Sequence, residues 1–170
     1  MYRSGHYGVA LLAYSPVLYA LGSLGRVVAA GVGLAVVLAV TTLPDADHDL
    51  PLVSHRGVTH TLLFAGVVGV AAGAAAWLLA SPDGVGIAPM RALELAAGVG
   101  GAAAFGVLAH LLADALTPMG VAVLWPASGK RYSLGVTTAD STIWNVGLLA
   151  AGVFATAVAA VLAVPVAGVT

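Results

Sequence analysis

The chain of 170 residues has no cysteine and very little charge. Without cysteine it forms no disulfide and offers no thiolate or sulfur ligand, so any bound metal must be held by His, Asp or Glu. Charged residues make up 8% of the chain, whereas a soluble domain typically carries about a quarter. Six basic and seven acidic side chains give a net charge of -1, which leaves no basic stripe for nucleic acid. A soluble domain and a nucleic-acid partner are both excluded.

Apolar residues dominate instead, at 61% of the chain and a mean hydropathy of +1.04, which indicates an integral membrane protein. A helix needs about 20 apolar residues to cross a bilayer. Such segments lie near 6–23, 25–43, 59–80, 92–116 and 142–164. We predict an all-α integral membrane bundle of about five transmembrane helices, with residues 1–170 forming one membrane-embedded domain. Pro16 interrupts the first segment, so a re-entrant or interfacial path is the alternative there.

Polar side chains gather at one face of the predicted bundle. Alternating the direction of the spans places the starts of helices one, three and five on the same side as the ends of helices two and four. All five histidines and four of the seven acids fall at this face: His6, His48, His55, His60, His110, Asp45, Asp47, Asp49 and Asp114. Their convergence predicts a polar site at one membrane face.

The sequence His110-Leu-Leu-Ala-Asp114 is the most informative motif. Residues four apart share one face of a helix and can hold one ion. An unpaired Asp114 near hydrocarbon would cost about 2.5–3.5 kcal/mol, and intramembrane ionisable groups are functional by default. A hydrogen-bonded pair with a packing role is the alternative.

Imidazoles and carboxylates together suit zinc first, with manganese or iron as alternatives, and the number of candidates allows one or two ions. The predicted metal ligands are His6, Asp45, Asp47, His60, His110 and Asp114. We expect His55 or His48 to orient a ligand or shuttle a proton. Arg56 would clamp an anionic group, because its planar guanidinium matches phosphate oxygens.

The ordered motifs resemble the membrane-bound metal-dependent hydrolases of the YdjM type. They are Gly5-His6, Leu-Pro-Asp-Ala-Asp-His at 43–48, His-Arg-Gly-Val-Thr-His at 55–60, His-Leu-Leu-Ala-Asp-Ala-Leu-Thr-Pro-Met-Gly at 110–120 and Leu-Trp-Pro at 124–126. The resemblance implies a multi-spanning prokaryotic membrane protein with a metal centre and hydrolase activity. The order Asp, His and His-x-x-x-Asp is also similar to one metal site of zinc-dependent phospholipase C. No His follows Asp114, so the rest of that three-metal site has no counterpart.

We therefore expect a membrane-bound metal-dependent hydrolase that acts on a phosphoester or phospholipid-like substrate through a metal-activated water. A non-catalytic, metal-stapled tether for a soluble partner is the alternative. A transporter is disfavoured, because transport needs polar groups near the bilayer midplane. Short loops carry Arg3, Arg56, Lys130 and Arg131 on the polar face against Arg26 and Arg91 opposite, which favours a cytoplasmic site in the inner membrane.

Overall fold

A computed structural model describes residues 1–49, 56–81 and 84–163, with the side chains of residues 48 and 49 left out. The described residues form helices only, apart from one isolated bridge in a loop. The long helices are α1 (Arg3–Ser23), α2 (Val27–Thr41), α3 (Leu62–Ala80), α4 (Pro89–Ala115) and α5 (Thr142–Ala163). Short 3-10 turns at Pro44–Asp49 and Val58–His60 lie between α2 and α3. The predicted all-α architecture is confirmed.

Within the described ranges, four segments are long and apolar enough to cross a membrane: Val27–Asp47, Leu62–Ala80, Pro89–Ala115 and Thr142–Ala163. They match the second to fifth predicted spans closely. Helix α1 is not among these four, but it continues unbroken past Pro16, whose ring lies on an exposed face. The first predicted segment is therefore one continuous helix of 21 residues.

Local chemistry explains where several helices begin and end. The Thr61 side chain accepts a hydrogen bond from the backbone N–H of Phe64 at 3.1 Å, which caps the start of α3. Pro89 lies in the first turn of α4, where its missing N–H costs nothing. Gly25 adopts a φ of +74° directly after α1, a conformation that other residues rarely adopt, and so allows the tight turn into α2.

Helices α1 and α5 run parallel and in contact over their whole length. Gly5 lies against Asn145 at their starts, Gly8 against the backbone of Leu148, and Gly22 against Ala163 at their ends. Glycine permits this close approach because a side chain would meet the neighbouring helix. Since α5 is long and apolar enough to span the membrane, α1 extends over the same depth beside it.

Helices α3 and α4 pack antiparallel through small residues. Gly69 and Gly73 lie against the backbone of Gly100, where an added Cβ would meet main-chain atoms of the other helix. Gly66, Gly98 and Gly101 have no heavy atom within 4 Å of an added Cβ among the described residues. Only some of the glycines in these helices therefore serve helix packing.

The segment that follows α4 is a loop, as its prolines and glycines predict. Val121 and Tyr132 exchange two backbone hydrogen bonds, at 3.1 and 2.9 Å. Leu62 at the start of α3 donates its N–H to the carbonyl of Val123 at 2.9 Å. The loop thus folds back over the start of α3 and the end of α4, at the face where the polar residues lie.

We predict that Gly100→Leu destabilises the protein, because the new side chain must displace the backbone of α3. Overpacking of this kind costs about 1–3 kcal/mol. The neighbouring Gly101→Leu should be neutral or stabilising, since its Cβ enters open space and leucine favours a helix by up to about 1 kcal/mol over glycine. Unfolding of both purified variants in mixed detergent micelles measures the difference. Equal stabilities would contradict the packing described for α3 and α4.

Candidate metal centre

Four side chains from three parts of the chain meet at the polar face. The Nε2 atoms of His60 and His110 are 3.2 Å apart. Asp114 Oδ2 lies 3.4 Å from His60 Nε2 and 3.5 Å from His110 Nε2. Asp45 Oδ1 lies 3.5 Å from each of the same two nitrogens. We call His60, His110, Asp114 and Asp45 the tetrad.

The distances between the two histidines, and from each aspartate to both histidines, match the edges of a tetrahedral metal site. Bonds of about 2.0–2.1 Å to zinc place the ligand atoms of a tetrahedron about 3.3–3.4 Å apart. The five separations above lie between 3.2 and 3.5 Å. Asp114 Oδ2 is buried without a hydrogen-bond partner in the described part of the chain, although buried carboxylate oxygens are normally satisfied. A cation at the centre of the tetrad would satisfy it.

His60 is oriented for metal binding by the groups behind it. The Thr59 hydroxyl donates to Asp47 Oδ2 at 2.7 Å and lies 2.9 Å from His60 Nδ1. Asp47 Oδ2 is also 3.3 Å from His60 Nδ1. Because the hydroxyl proton is used on Asp47, Nδ1 is the protonated nitrogen, which leaves the lone pair of Nε2 facing the tetrad. A carboxylate behind a metal-binding histidine is a common arrangement.

Asp114 is fixed by Arg56 from the other side. Arg56 Nη2 donates to Asp114 Oδ1 at 2.8 Å, and Nη1 donates to the carbonyl of Gly120 at 3.1 Å. The α-amino group of Met1 also lies 3.5 Å from Oδ1. Arg56 itself has a φ of 58°, a conformation that costs a non-glycine residue about 1–3 kcal/mol. This strained, buried arginine turns Asp114 so that Oδ2 points at the two imidazoles.

His6 lies beside the tetrad. Its ring stacks on that of His110 with centroids 4.1 Å apart, and its Nε2 is 3.4 Å from Asp114 Oδ1. His6 Nδ1 lies 3.1 Å from the carbonyl of Tyr2, which only accepts, so Nδ1 carries a proton and Nε2 is the nitrogen that the neutral ring would offer to a metal. His6, Asp45 and His110 form a second group that could hold an ion, and it shares two members with the tetrad.

Asn145 positions His6 from the start of α5 and was missed by the sequence analysis. Its Oδ1 accepts a hydrogen bond from the backbone N–H of Tyr2 at 2.9 Å. Its Nδ2 donates to the carbonyls of Ser141 and Ala139, at 2.8 and 3.1 Å. The sequence signal was an asparagine near the start of an otherwise apolar helix. Such a residue is expected to find a polar partner inside the protein, and Asn145 is in fact fully buried.

The other predicted site residues have different positions. Asp47 lies behind His60, so its role as a direct metal ligand stays a prediction. The proposed anion-clamp role of Arg56 also stays a prediction, since the contacts described for its guanidinium are within the protein. His48 belongs to the 3-10 turn after α2, but its side chain lies outside the described residues, as does the whole of His55. Their predicted proton-transfer roles are untested.

The tetrad opens to the outside at Asp45. The Asp45 side chain is 25% exposed, whereas His60, His110 and Asp114 are at most 2% exposed. A cavity of about 280 Å³ lies next to it, lined by Arg3, Ala39, Thr42, Leu43, Asp45 and Ala46. The cavity therefore joins the start of α1 to the end of α2 and presents one guanidinium and one carboxylate.

The bundle and its buried tetrad define a multi-pass membrane protein with a candidate metal centre at one membrane face. The chain belongs to the YdjM inner membrane protein family, whose sequence profile matches residues 1–169. The family description agrees with the predicted membrane location and states no reaction. No curated protein and no solved structure matches the chain.

We predict that the purified protein binds zinc and that His110→Ala and Asp114→Asn abolish binding, because each removes a buried donor of the tetrad. Asp47→Asn should weaken binding by about 10–100-fold, the usual effect of losing the group behind a ligand. Zinc content and competition with a chromogenic chelator measure both effects.

Asp140→Asn is the control for these variants, because Asp140 is an exposed acid outside the tetrad. It should bind zinc as the wild type does. Size-exclusion chromatography and circular dichroism establish that each variant is folded. Undiminished zinc affinity in a folded His110→Ala variant would contradict the assignment of the tetrad.

Proposed function

We propose that this protein is a membrane-bound metal-dependent hydrolase whose ion is held by His60, His110, Asp114 and Asp45. The match of the five ligand separations to a tetrahedral zinc site is the observation that carries the proposal. When bound, a zinc ion supplies Lewis acidity and brings the pKa of a coordinated water to about 7. Manganese and iron are the alternative ions.

Asp45 has a different task from the other three ligands. Catalytic zinc sites typically use three protein ligands and keep one position open. His60, His110 and Asp114 are buried and braced, while Asp45 lies at the mouth of the 280 Å³ cavity. We assign Asp45 as the exposed fourth ligand, which would yield its position to water or substrate and would accept a proton from the attacking water.

The substrate class is an anionic ester, with a phosphoester or phospholipid-like headgroup as our choice. Arg3 lines the cavity beside Asp45, and guanidinium groups bind phosphate oxygens well. Leu43 and Ala39 form an apolar wall of the same cavity at the end of a membrane-spanning segment. An ester that enters from the lipid headgroup region would contact all three residues.

The proposal predicts zinc-dependent turnover of phosphodiesters, for example bis-p-nitrophenyl phosphate or a short-chain phosphatidylcholine, by protein in detergent. Asp45→Asn should retain zinc on the three buried ligands but lower kcat by at least ~100-fold, a typical loss for a proton-transfer group. Arg3→Gln should raise KM and leave zinc content unchanged. Arg26→Gln is the control, because it removes the same charge far from the cavity.

A closed, structural zinc site is the second candidate, and the presence of four protein donors supports it. In that case the ion would only hold the loop turns together, and the protein would serve as a membrane tether. Asp45→Asn separates the two functions, because a closed site would lose zinc affinity together with its fourth ligand. Loss of zinc in this variant, with no turnover by the wild type, would overturn the hydrolase proposal.

We further propose that the metal centre faces the cytoplasm, because the short loops on its side carry the excess of basic residues. The native chain has no cysteine, so single cysteines report sidedness without background. Ser23→Cys is at the last residue of α1, on the opposite face, and Ala127→Cys is in the loop over the metal centre; both positions are exposed.

A membrane-impermeant maleimide should label Ser23→Cys in spheroplasts and label Ala127→Cys only after the membrane is permeabilised. The unsubstituted protein is the control and should stay unlabelled. The reverse pattern would place the metal centre on the outer side of the membrane.

A further inference from the structure

A second cavity, of about 820 Å³, lies on the outer surface of the bundle between α1, α2 and α4. Its lining is mostly apolar and includes Val17, Val28, Val32, Leu95 and Gly98. The first four of these side chains are between 36% and 80% exposed, so the cavity is a groove open to the bilayer. Its volume lies in the range of about 300–1,000 Å³ that small-molecule sites occupy.

The inner end of the groove is closed by an aromatic pair. Tyr14 and Phe105 pack edge to face with ring centroids 5.8 Å apart. The Tyr14 hydroxyl donates to the carbonyl of Ala30 at 3.3 Å, so its polar atom is used within the protein. The groove therefore ends in a fixed apolar surface within the membrane-spanning part of the bundle.

The outer end of the groove carries charge. Arg26 precedes α2, and Arg91 and Glu94 lie in the first turns of α4. These three residues make no ion pair with one another among the described residues. Two guanidinium groups against one carboxylate give this end a net positive charge. The charged end of the groove lies at the membrane face opposite the metal centre, because its residues are at the starts of α2 and α4 and both helices end near the metal centre.

We propose that this groove binds an anionic phospholipid, with the phosphate on Arg26 and Arg91 and one acyl chain lying along α1, α2 and α4. An apolar, bilayer-facing groove with cations at its headgroup end has the charge and shape of such a lipid. Guanidinium groups match phosphate oxygens, and basic residues at a membrane surface attract anionic lipids. The site is separate from the metal centre and does not depend on the proposed hydrolase activity.

Native mass spectrometry of the detergent-solubilised protein, titrated with dioleoylphosphatidylglycerol or dioleoylphosphatidylcholine, tests the headgroup. We expect tighter binding of phosphatidylglycerol. The double variant Arg26→Gln, Arg91→Gln should weaken phosphatidylglycerol binding by about thirty-fold, because each lost charge weakens the affinity a little more than about fivefold. Lys130→Gln with Arg131→Gln is the control, because it removes two charges at the opposite face and should leave the affinity unchanged. Equal loss in both double variants, or equal affinity for the two lipids, would overturn the proposal.

Gly98→Leu tests the acyl chain. The Cβ of the new side chain lies in open space on the wall of the groove, since no described heavy atom lies within 4 Å of it. We expect it to weaken phosphatidylglycerol binding at least tenfold. Gly66→Leu adds the same side chain to open space on α3, outside the groove, and should have no effect. Unchanged binding in a folded Gly98→Leu variant would show that only surface charge holds the lipid, which would overturn the groove as its site.

Discussion

A carboxylate buried at the end of a membrane helix has to be neutralised, and the structure around Asp114 is arranged to meet this constraint. One oxygen is bound by Arg56, and the other faces the imidazoles of His60 and His110. Arg56 and His60 come from the stretch that precedes α3, and His110 comes from α4 itself, so the charge of one residue ties the start of α3 to the end of α4. An unpaired charge here would cost several kcal/mol, which is why the polar residues converge.

The direction and close packing of the helices bring these polar residues together. Their alternating directions bring three starts and two ends to one face, and the glycine contacts between α1 and α5 and between α3 and α4 bring the backbones close together. Close packing of small residues replaces the hydrophobic driving force that is weak between helices in lipid. The precision of the tetrad therefore depends on residues such as Gly22 and Gly100, far from any candidate ligand.

Much of this could be predicted from the sequence, because hydropathy fixes the spans and their alternation fixes which ends share a face. The spacing of His110 and Asp114 on one helix also pointed directly to the centre. The different positions of Asp45 and Asp47 could not be predicted, since both belong to one short turn. Only the fold places Asp47 behind His60, next to its Nδ1 atom. Asn145 was overlooked for a similar reason: its partner Tyr2 is 143 residues away.

The parallel pairing of the first and last helices has a consequence for biogenesis. His6 is synthesised well before the fifth helix, yet the backbone that carries it is anchored by Asn145 at the start of that helix. Because the chain is synthesised from the N-terminus onward, α1 enters the membrane before α5, the helix it packs against, has been made. His6 is held in its place beside the tetrad only when α5 enters the membrane, so a chain truncated before this helix would keep the four tetrad residues but lose the Tyr2–Asn145 hydrogen bond that anchors the backbone of His6.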